Sequence, residues 1–267
     1  MRKNHILESW RANEPTLGGW ISMDSTFAVE IMANAGFDWL CLDMQHGMLD
    51  YNDVRQLLPA ISTTQTIPLV RVPWNEPYEI MKVLDAGAYG VVVPMINNRT
   101  EAEQAVSACR YPPAGGRSYG PARALIYAGE GYAEEANNEI ACVVMIETRE
   151  SLDNLDEIMT TPGLDGIYIG PSDLAFALGL KPGTNSPEHE STIATILSTA
   201  ERHGIAAGIH TSGAAQSRHY LDMGFQMVTL GTDRHFMDRM AKSDLASVKG
   251  DPGALDLDGE ASKNNLY

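Results

Sequence analysis

The chain has 267 residues, of which 44% are hydrophobic and 20% are charged, with 24 Gly and 14 Pro. This composition is typical of a globular domain, and a (β/α)8 barrel of about 250 residues would use nearly all of the chain. The 19 basic and 35 acidic residues give a formal charge of −16. Such a charge argues against nucleic acid or an anionic membrane as a partner. An acidic substrate would need its own local positive charge.

The compartment is indicated by what the sequence lacks. The N-terminus has no basic-then-apolar signal pattern, and no run of roughly 18 apolar residues occurs. Cys41, Cys109 and Cys142 do not have the spacing of a metal or redox motif, and Cys in an apolar run behaves as a small hydrophobe. We therefore expect a cytoplasmic protein with no catalytic cysteine.

Short runs with strand-like composition recur along the chain, separated by helical patterns. The eight predicted strands are Thr16–Met23, Asp38–Met44, Ile67–Pro73, Gly90–Ile96, Ala141–Thr148, Asp165–Pro171, Ile205–Thr211 and Met227–Asp233. Most of these runs are uniformly apolar, which is expected of parallel strands covered by helices on the outside. Thr100 and Glu103 have the spacing of a capping box at the start of the helix after the fourth strand.

Glycines placed just before five of these strands support the same division. They are Gly36, Gly87, Gly163, Gly204 and Gly224, and each is positioned to end a helix in the left-handed conformation. Eight consecutive β/α units without a linker predict a single-domain (β/α)8 TIM barrel over residues 1–250. An open doubly wound sheet is the main alternative, but no Gly-rich dinucleotide loop follows the first strand. Residues 251–267 are expected to form a flexible acidic tail, and Tyr111–Asn138 a long functional or disordered loop.

Active sites of such barrels lie at the carboxyl ends of the strands. Six predicted strands carry polar groups there, namely Asp43–Gly47, Arg71, Glu147–Thr148, Gly170–Asp173, His210–Ser212 and Thr232–Asp233. No lysine stands at a strand end, which argues against an aldolase that forms a Schiff base.

Glu147 and Asp173 end neighbouring predicted strands, which places them about 5 Å apart. Two carboxylates this close repel each other unless they share a proton or bind a cation. Oxygen ligands of this kind suit Mg²⁺ or Mn²⁺. The alternative is that each carboxylate caps a helix or pairs with a base such as Arg149.

Three further groups point to the binding of a small acid. The turn from Gly170 to Asp173 exposes backbone N–H groups that could hold a carboxylate. Asp43 stands three residues before His46 and could orient its imidazole for acid–base work. Arg71 supplies fixed positive charge for an enolate oxygen, unless it serves only in an internal ion pair.

Together these motifs resemble the HpcH/HpaI aldolase family, the 4-hydroxy-2-oxoheptanedioate aldolase group of the phosphoenolpyruvate/pyruvate-binding barrels. The matching stretches are Asp38–Gly47, Pro68–Pro73, Arg110–Pro121, Ile146–Thr148 and Asp165–Leu174. They occur in the family's order and span most of the chain, so their combination is far more specific than any one of them.

The resemblance implies a class II aldolase that reversibly cleaves 4-hydroxy-2-oxo acids into pyruvate or hydroxypyruvate and an aldehyde, through a metal-bound enolate. It implies that Glu147 and Asp173 bind Mg²⁺, Mn²⁺ or Co²⁺. It assigns the pyruvate carboxylate to the backbone around Gly170, Pro171, Ser172 and Asp173. The enolate is assigned to Arg71, and the acid–base steps to His46 with Asp43.

The sequence departs from the family's pattern at two places. Met145 stands where many members have Gln, and Arg117-Ser118-Tyr119-Gly120 stands where many have Arg-Gly-x-Gly. These departures affect the expected substrate shape more than the expected reaction. We count Met145, Arg117 and His210 as possible pocket residues, and His210 could equally be structural.

Two other functions remain open at this stage. A citrate lyase β-like acyl-CoA lyase would share the fold, although the charge of −16 does not favour a nucleotide-bearing substrate. A non-catalytic metabolite-binding barrel would not need a metal site together with the acid–base residues.

The resemblance also implies a homo-oligomer, a hexamer in which the C-terminal helix docks on a neighbouring subunit. Phe236, Met237, Met240 and Leu245 provide apolar bulk for that contact.

Overall fold

The computed structural model describes residues 1–183 and 186–250, and these form one closed barrel of eight parallel strands in the order β1 to β8. The strands are β1 (Thr16–Ile21), β2 (Trp39–Asp43), β3 (Ile67–Arg71), β4 (Gly90–Val93), β5 (Ala141–Ile146), β6 (Gly166–Ile169), β7 (Ala206–Ile209) and β8 (Met227–Thr232). All eight predicted strands and the (β/α)8 fold are confirmed. Each strand ends one to three residues earlier than predicted, so Glu147, Gly170 and His210 already belong to the segments that follow their strands.

Helices cover the outside of the barrel. Those of the described residues are α1 (His5–Arg11), α2 (Thr26–Ala33), α3 (Tyr51–Ile61), α4 (Pro77–Asp85), α5 (Arg99–Cys109), α6 (Ala122–Ala128), α7 (Tyr132–Glu139), α8 (Arg149–Asp153), α9 (Leu155–Met159), α10 (Pro171–Ala177), α11 (Pro187–His203), α12 (Ala214–Met223) and α13 (Asp233–Lys249). Among the described residues, no helix has the length and apolar character needed to cross a membrane.

The strands are buried on both faces, as their apolar composition predicts for a parallel barrel. The five glycines predicted to end helices in the left-handed conformation have φ between 67° and 106°, which confirms that interpretation. The three cysteines are buried and free.

Two local predictions were wrong. The capping box before α5 does not involve Thr100 and Glu103, since the helix begins earlier and Asn98 accepts a hydrogen bond from the N–H of Glu101 at 3.0 Å. The segment Tyr111–Asn138 is not a long loop, because α6 and most of α7 lie within it. The predicted tail, residues 251–267, lies outside the described residues, so its character remains a prediction.

Asp233 links the first and last strands, β1 and β8, by hydrogen bonds at the mouth of the barrel. Its carboxylate accepts hydrogen bonds from the backbone N–H groups of Ser22 and Met23 at 3.0 to 3.1 Å, and from the Ser22 hydroxyl at 2.8 Å. Because Ser22 follows β1 and Asp233 follows β8, these bonds fix the carboxyl ends of the two strands relative to each other. A cavity lined in part by Ser22 opens beside this junction.

Candidate active site

A cavity of about 250 Å³ opens at the carboxyl ends of the strands, where the sequence places the chemistry. Most of the predicted site residues line it. They are Asp43, His46, Arg71, Met145, Gly170, Pro171, Ser172, Asp173 and His210. The fold therefore brings together residues that are up to 167 positions apart in the chain, from Asp43 to His210.

The central feature of the cavity is a buried ion pair between Arg71 and Asp43. The last residues of β2 and β3 are in register, so the two side chains start side by side. The Nε group of Arg71 donates to Oδ1 of Asp43 at 2.8 Å, and the Nη2 group donates to Oδ2 at 2.6 Å. Burial opposes ionisation of Asp43, but the Arg71 guanidinium outweighs burial and holds the pKa of this carboxyl below its usual value.

This pairing leaves one end of the guanidinium available. The Nη1 group of Arg71 has only a weak contact, with the sulfur of Met145 at 3.9 Å. The Arg71 guanidinium also lies 5.2 Å from the centroid of the Trp20 ring. Arg71 is therefore a rigid, permanently charged donor, and its Nη1 group faces the cavity between β3 and β5.

Glu147 lies just behind the cavity wall, directly after β5. Its side chain is buried, and Oε1 accepts a hydrogen bond from the N–H of Met95 at 2.9 Å. Burial is the main cause that raises the pKa of Glu147 to about 7, and the neighbouring charge of Asp173 adds to it. The opposite oxygen, Oε2, faces Gly170, where an added Cβ would lie only 2.5 Å away. Only glycine at this position leaves room for that oxygen.

Asp173 does not end a strand, contrary to the prediction. Strand β6 stops at Ile169, and Asp173 lies in the first turn of α10, exposed at the cavity. Helix α10 has Gly170 as its N-cap with no side-chain cap, so backbone N–H groups of its first turn have no side-chain acceptor. The same turn thus presents a carboxylate and free N–H donors.

These observations fit a divalent cation at Glu147 and Asp173. The two carboxylates supply hard oxygen ligands, and their mutual repulsion contributes to the raised pKa of Glu147. Within residues 1–183 and 186–250, no group of three or more His, Cys, Asp or Glu side chains is arranged to hold a metal. A cation bound here would therefore need water and substrate as its remaining ligands.

His46 lines the cavity, but its predicted relation to Asp43 is wrong in detail. Asp43 accepts a hydrogen bond from the backbone N–H of His46 at 3.2 Å, whereas no hydrogen bond links the imidazole to that carboxylate in the described part of the chain. Both oxygens of Asp43 instead accept hydrogen bonds from the Arg71 guanidinium. The exposed imidazole is therefore positioned through its backbone alone.

His210 is a cavity residue with a neutral imidazole. Its Nδ1 atom is hydrogen-bonded to the hydroxyl of Tyr168 at 3.2 Å, and its ring lies edge-on to Trp20. Burial, followed by the positive charge of Arg71, lowers the pKa of His210 to about 4. The Tyr168 hydroxyl in turn is hydrogen-bonded to Thr229, so the tyrosine fixes the histidine ring in place.

Arg117 is not a pocket residue, which corrects the prediction. Its side chain is fully buried outside the barrel mouth, where it pairs with Asp85 at 2.7 Å and donates to the Tyr132 hydroxyl at 2.9 Å. The guanidinium also stacks over Tyr111 at 4.5 Å. Arg117 therefore anchors the segment after α5 to α4 and α7 and does not contact the cavity.

Sequence reasoning missed four residues that line the cavity, namely Trp20, Ser22, Tyr168 and Arg234. Trp20 and Ser22 stand at the end of β1, a strand end that showed no obvious chemistry. Tyr168 lies within β6 and points inward. Arg234 directly follows the last predicted strand, so extending the strand-end rule by one residue would have found it.

The pKa of His210 predicts a specific pH dependence of stability. In the unfolded chain a histidine has a pKa near 6.5, whereas in the folded protein the pKa of His210 is about 4. Between these two pH values the unfolded chain therefore binds one more proton at this residue than the folded protein does. His210 should therefore lower the free energy of unfolding as the pH falls from about 6.5 to 4, by up to about 3 kcal/mol. Urea unfolding of the wild type and of His210→Gln across this range measures the effect. Equal pH slopes for the two proteins would contradict it.

Curated relatives match nearly the whole chain. A hydroxypyruvate/pyruvate aldolase of Rhizorhabdus wittichii is 38% identical over 248 residues, which cover 92% of this chain and 99% of that protein. A 4-hydroxy-2-oxo-heptane-1,7-dioate aldolase of Salmonella dublin is 35% identical over 244 residues, which cover 90% of this chain and 93% of that protein.

Solved structures and a family model agree with these relatives. A crystal structure of an HpcH/HpaI aldolase/citrate lyase family protein from Burkholderia cenocepacia superposes with a TM-score of 0.88 at 33% identity, covering 92% of this chain and all of the other. The family model described as HpcH/HpaI aldolase/citrate lyase matches residues 17–238. The chain thus belongs to the HpcH/HpaI aldolase/citrate lyase family.

Proposed function

We propose that this protein is a metal-dependent class II aldolase that reversibly cleaves 4-hydroxy-2-oxo acids into pyruvate or hydroxypyruvate and an aldehyde. Relatives that are 35% and 38% identical bear aldolase names, which supports a lyase of this kind. The observation that carries the proposal is the geometry of Arg71, whose free Nη1 group faces the cavity while Asp43 holds the rest of the guanidinium. The described residues that line the cavity include no lysine for a Schiff base.

The two alternative functions have less support. The citrate lyase β subunit structures are only 15% identical to this chain and indicate a shared fold alone. A binding barrel without activity would not require a buried ion pair, the carboxylate of Asp173 and a histidine to line one small cavity with Glu147 directly behind its wall.

Arg71 is the proposed stabiliser of the enolate. When the carbon–carbon bond breaks, its electron pair moves toward the keto carbonyl, and that oxygen gains negative charge. A fixed cation beside this oxygen binds the transition state more tightly than the ground state. Asp43 serves as a positioning residue, since its two hydrogen bonds prevent the guanidinium from rotating away.

Glu147 and Asp173 are the proposed ligands of Mg²⁺, Mn²⁺ or Co²⁺. Such an ion would act as a Lewis acid that polarises the keto acid. The uncapped first turn of α10, from Gly170 through Pro171 and Ser172 to Asp173, would bind the pyruvate carboxylate through its N–H groups.

His46 is the proposed acid–base group, because its exposed imidazole lines the cavity and is not tied to a carboxylate. Cleavage requires removal of the proton from the 4-hydroxyl group of the substrate, and the reverse reaction returns it. A histidine with freedom to move its ring can serve both directions. Met145 and His210 would shape the pocket, with His210 acting as a neutral hydrogen-bonding wall.

Replacing Arg71 tests the proposed function directly. Arg71→Ala should reduce kcat by roughly a hundred- to a thousandfold, as expected for loss of one charged donor to a developing oxyanion. Arg71→Lys should recover only part of the loss, because an ammonium group cannot form the same paired contact with Asp43. The measurements are aldol cleavage with added metal and exchange of the pyruvate methyl protons, which passes through the same enolate.

Arg110 offers a matched control for this experiment. It forms a comparable buried ion pair with Asp165 at 2.7 Å but does not line the cavity. Arg110→Ala should lower stability and leave the kcat of the folded protein near that of the wild type. If Arg71→Ala behaved like Arg110→Ala, Arg71 would be a structural residue and the proposed function would lose its main support.

Metal dependence is tested by removal and by binding. EDTA should abolish cleavage, and Mg²⁺ or Mn²⁺ should restore it. Glu147→Gln should weaken Mn²⁺ binding, measured by calorimetry without substrate, by at least about a hundredfold, since even the partners of metal ligands contribute about that much. Glu139→Gln changes another buried glutamate, outside the cavity, and should leave Mn²⁺ affinity unchanged. Full activity in EDTA, or a borohydride-trapped lysine adduct, would refute the proposed metal site.

We further propose that the protein is a homo-oligomer, a hexamer, located in the cytoplasm. The outer surface of α13 exposes Met237, Met240 and Leu245, whereas Phe236 is half-buried against Phe37 of its own barrel. Phe27 and Ile31 of α2 add to the exposed apolar area, which a lone barrel does not bury. The three free cysteines fit a reducing compartment.

Light scattering at micromolar concentration should give a single species with the mass of a hexamer. Leu245→Glu should dissociate it, because a carboxylate cannot be buried in an apolar contact without a partner. Lys249→Glu, which alters charge at the end of the same helix, serves as the control. A monodisperse wild-type monomer would contradict the proposal.

A further inference from the structure

The cavity has a second arginine, on the side opposite Glu147 in the strand order. Arg234 follows β8 and lines the cavity together with Thr232, Ser22 and His210. The residues proposed to bind the metal and pyruvate lie on the side formed by β3, β5 and β6. They are Arg71, the two carboxylates and the first turn of α10. The side formed by β7, β8 and β1 is therefore left for the other substrate, which is the aldehyde if the proposed function holds.

Arg234 differs from Arg71 in that it has no acidic partner within residues 1–183 and 186–250. The nearest carboxylate in sequence, Asp233, binds Ser22, Met23 and the backbone N–H of Arg234, but not its guanidinium. One turn further along α13, Asp238 is paired with Lys242 at 2.7 Å. The charge of Arg234 is thus not neutralised by either neighbour on its own helix.

The charge of Arg234 reaches the cavity. After burial and Arg71, it is one of the positive charges that lower the pKa of His210. The wall around Arg234 is polar rather than apolar, since the adjoining depression is lined by Thr211, Ser212, Thr232 and His235, and by Asp238, which is paired with Lys242. The two threonines, the serine and the histidine can donate hydrogen bonds to an oxyanion.

The unpaired positive charge of Arg234 contrasts with the negative net charge of the protein. A protein with a formal charge of −16 repels anions in bulk, so an unpaired cation at the mouth of a substrate cavity acts against the rest of the surface. A neutral aldehyde would gain little from a guanidinium at this point. An aldehyde that ends in a carboxylate or a phosphate would gain a charge-assisted hydrogen bond.

We propose that Arg234 is a specificity-determining residue that binds the anionic group, carboxylate or phosphate, of an acceptor aldehyde. This inference rests on the proposed aldolase function and adds the class of its second substrate. It involves no new chemical step, because the anionic group is bound at a distance from the carbonyl carbon that forms the new bond.

The test compares matched aldehydes with pyruvate as the common donor. Glyceraldehyde 3-phosphate is paired with glyceraldehyde, and succinic semialdehyde with butyraldehyde, so that the two pairs distinguish phosphate from carboxylate. The wild type should prefer the anionic member of at least one pair in kcat/KM. Arg234→Gln should reduce that preference about ten- to a hundredfold, mainly through KM. Arg234→Lys should restore part of it, more for phosphate than for carboxylate.

Two further measurements separate a specific contact from a change in net charge. Arg239→Gln removes the same charge from an exposed position on the same helix, outside the cavity, and should keep the preference. The KM of the wild type for the anionic aldehyde should rise with ionic strength, since Arg234 is exposed to solvent.

The outcomes distinguish this inference from the function on which it rests. Exchange of the pyruvate methyl protons by the wild type needs no aldehyde, so its absence with Mg²⁺ and Mn²⁺ would overturn the aldolase function and this inference with it. Exchange combined with a preference that survives Arg234→Gln would overturn this inference alone. A wild type that exchanges these protons but turns over neither anionic aldehyde would do the same.

Discussion

The buried ion pair between Arg71 and Asp43 is the interaction on which the rest of the site depends. A carboxylate and a guanidinium each lose several kcal/mol of hydration when they are buried, so the pair persists only with well-formed hydrogen bonds. The register of β2 and β3 supplies that geometry, because it places the two residues directly beside each other at the ends of their strands. Two of the three guanidinium nitrogens bind Asp43, and the third faces the cavity. Asp43 thus orients Arg71, and its hydrogen bond with His46 comes from the backbone N–H of that residue.

Around this ion pair, groups of opposite charge lie on different sides of the cavity, each side formed by different strands. Carboxylates belong to the β5 and β6 side, where Glu147 is buried beneath Gly170 and Asp173 begins α10. The β7, β8 and β1 side instead carries a neutral histidine, hydroxyl groups and the unpaired Arg234, while the carboxylate that lines it, Asp238, is paired with Lys242. A cation on the first side and an anionic substrate group on the second would both find complementary charge. This division matches a reaction that joins or separates two molecules, each of which needs its own end of the cavity.

Rigid elements hold both sides in place before any substrate arrives. Gly170 allows the backbone to pass within contact distance of Glu147, where a methyl group would collide with the carboxylate. Asp233 fixes the mouth ends of β1 and β8, which carry Ser22 and Arg234. Tyr168, itself bonded to Thr229, positions His210 from below. Such preorganisation matters for catalysis because oriented charges that need not move at the moment of reaction stabilise a transition state at little cost.

The sequence by itself determined the architecture and most of the site. Apolar runs that recur between helical patterns predict a parallel barrel, and the rule that barrel chemistry lies at the carboxyl ends of strands then selects Asp43, Arg71, Glu147 and the turn at Gly170. These inferences succeed because they depend on local pattern and on a property shared by all barrels. The tertiary structure decided which polar groups pair with each other. The sequence makes Arg71 the candidate for the enolate and Arg117 a possible pocket residue, yet Arg117 is buried against Asp85 outside the barrel and only Arg71 faces the cavity. Partner choice among charged side chains depends on distances of a few ångströms between residues far apart in the chain, and those distances exist only once the barrel has closed.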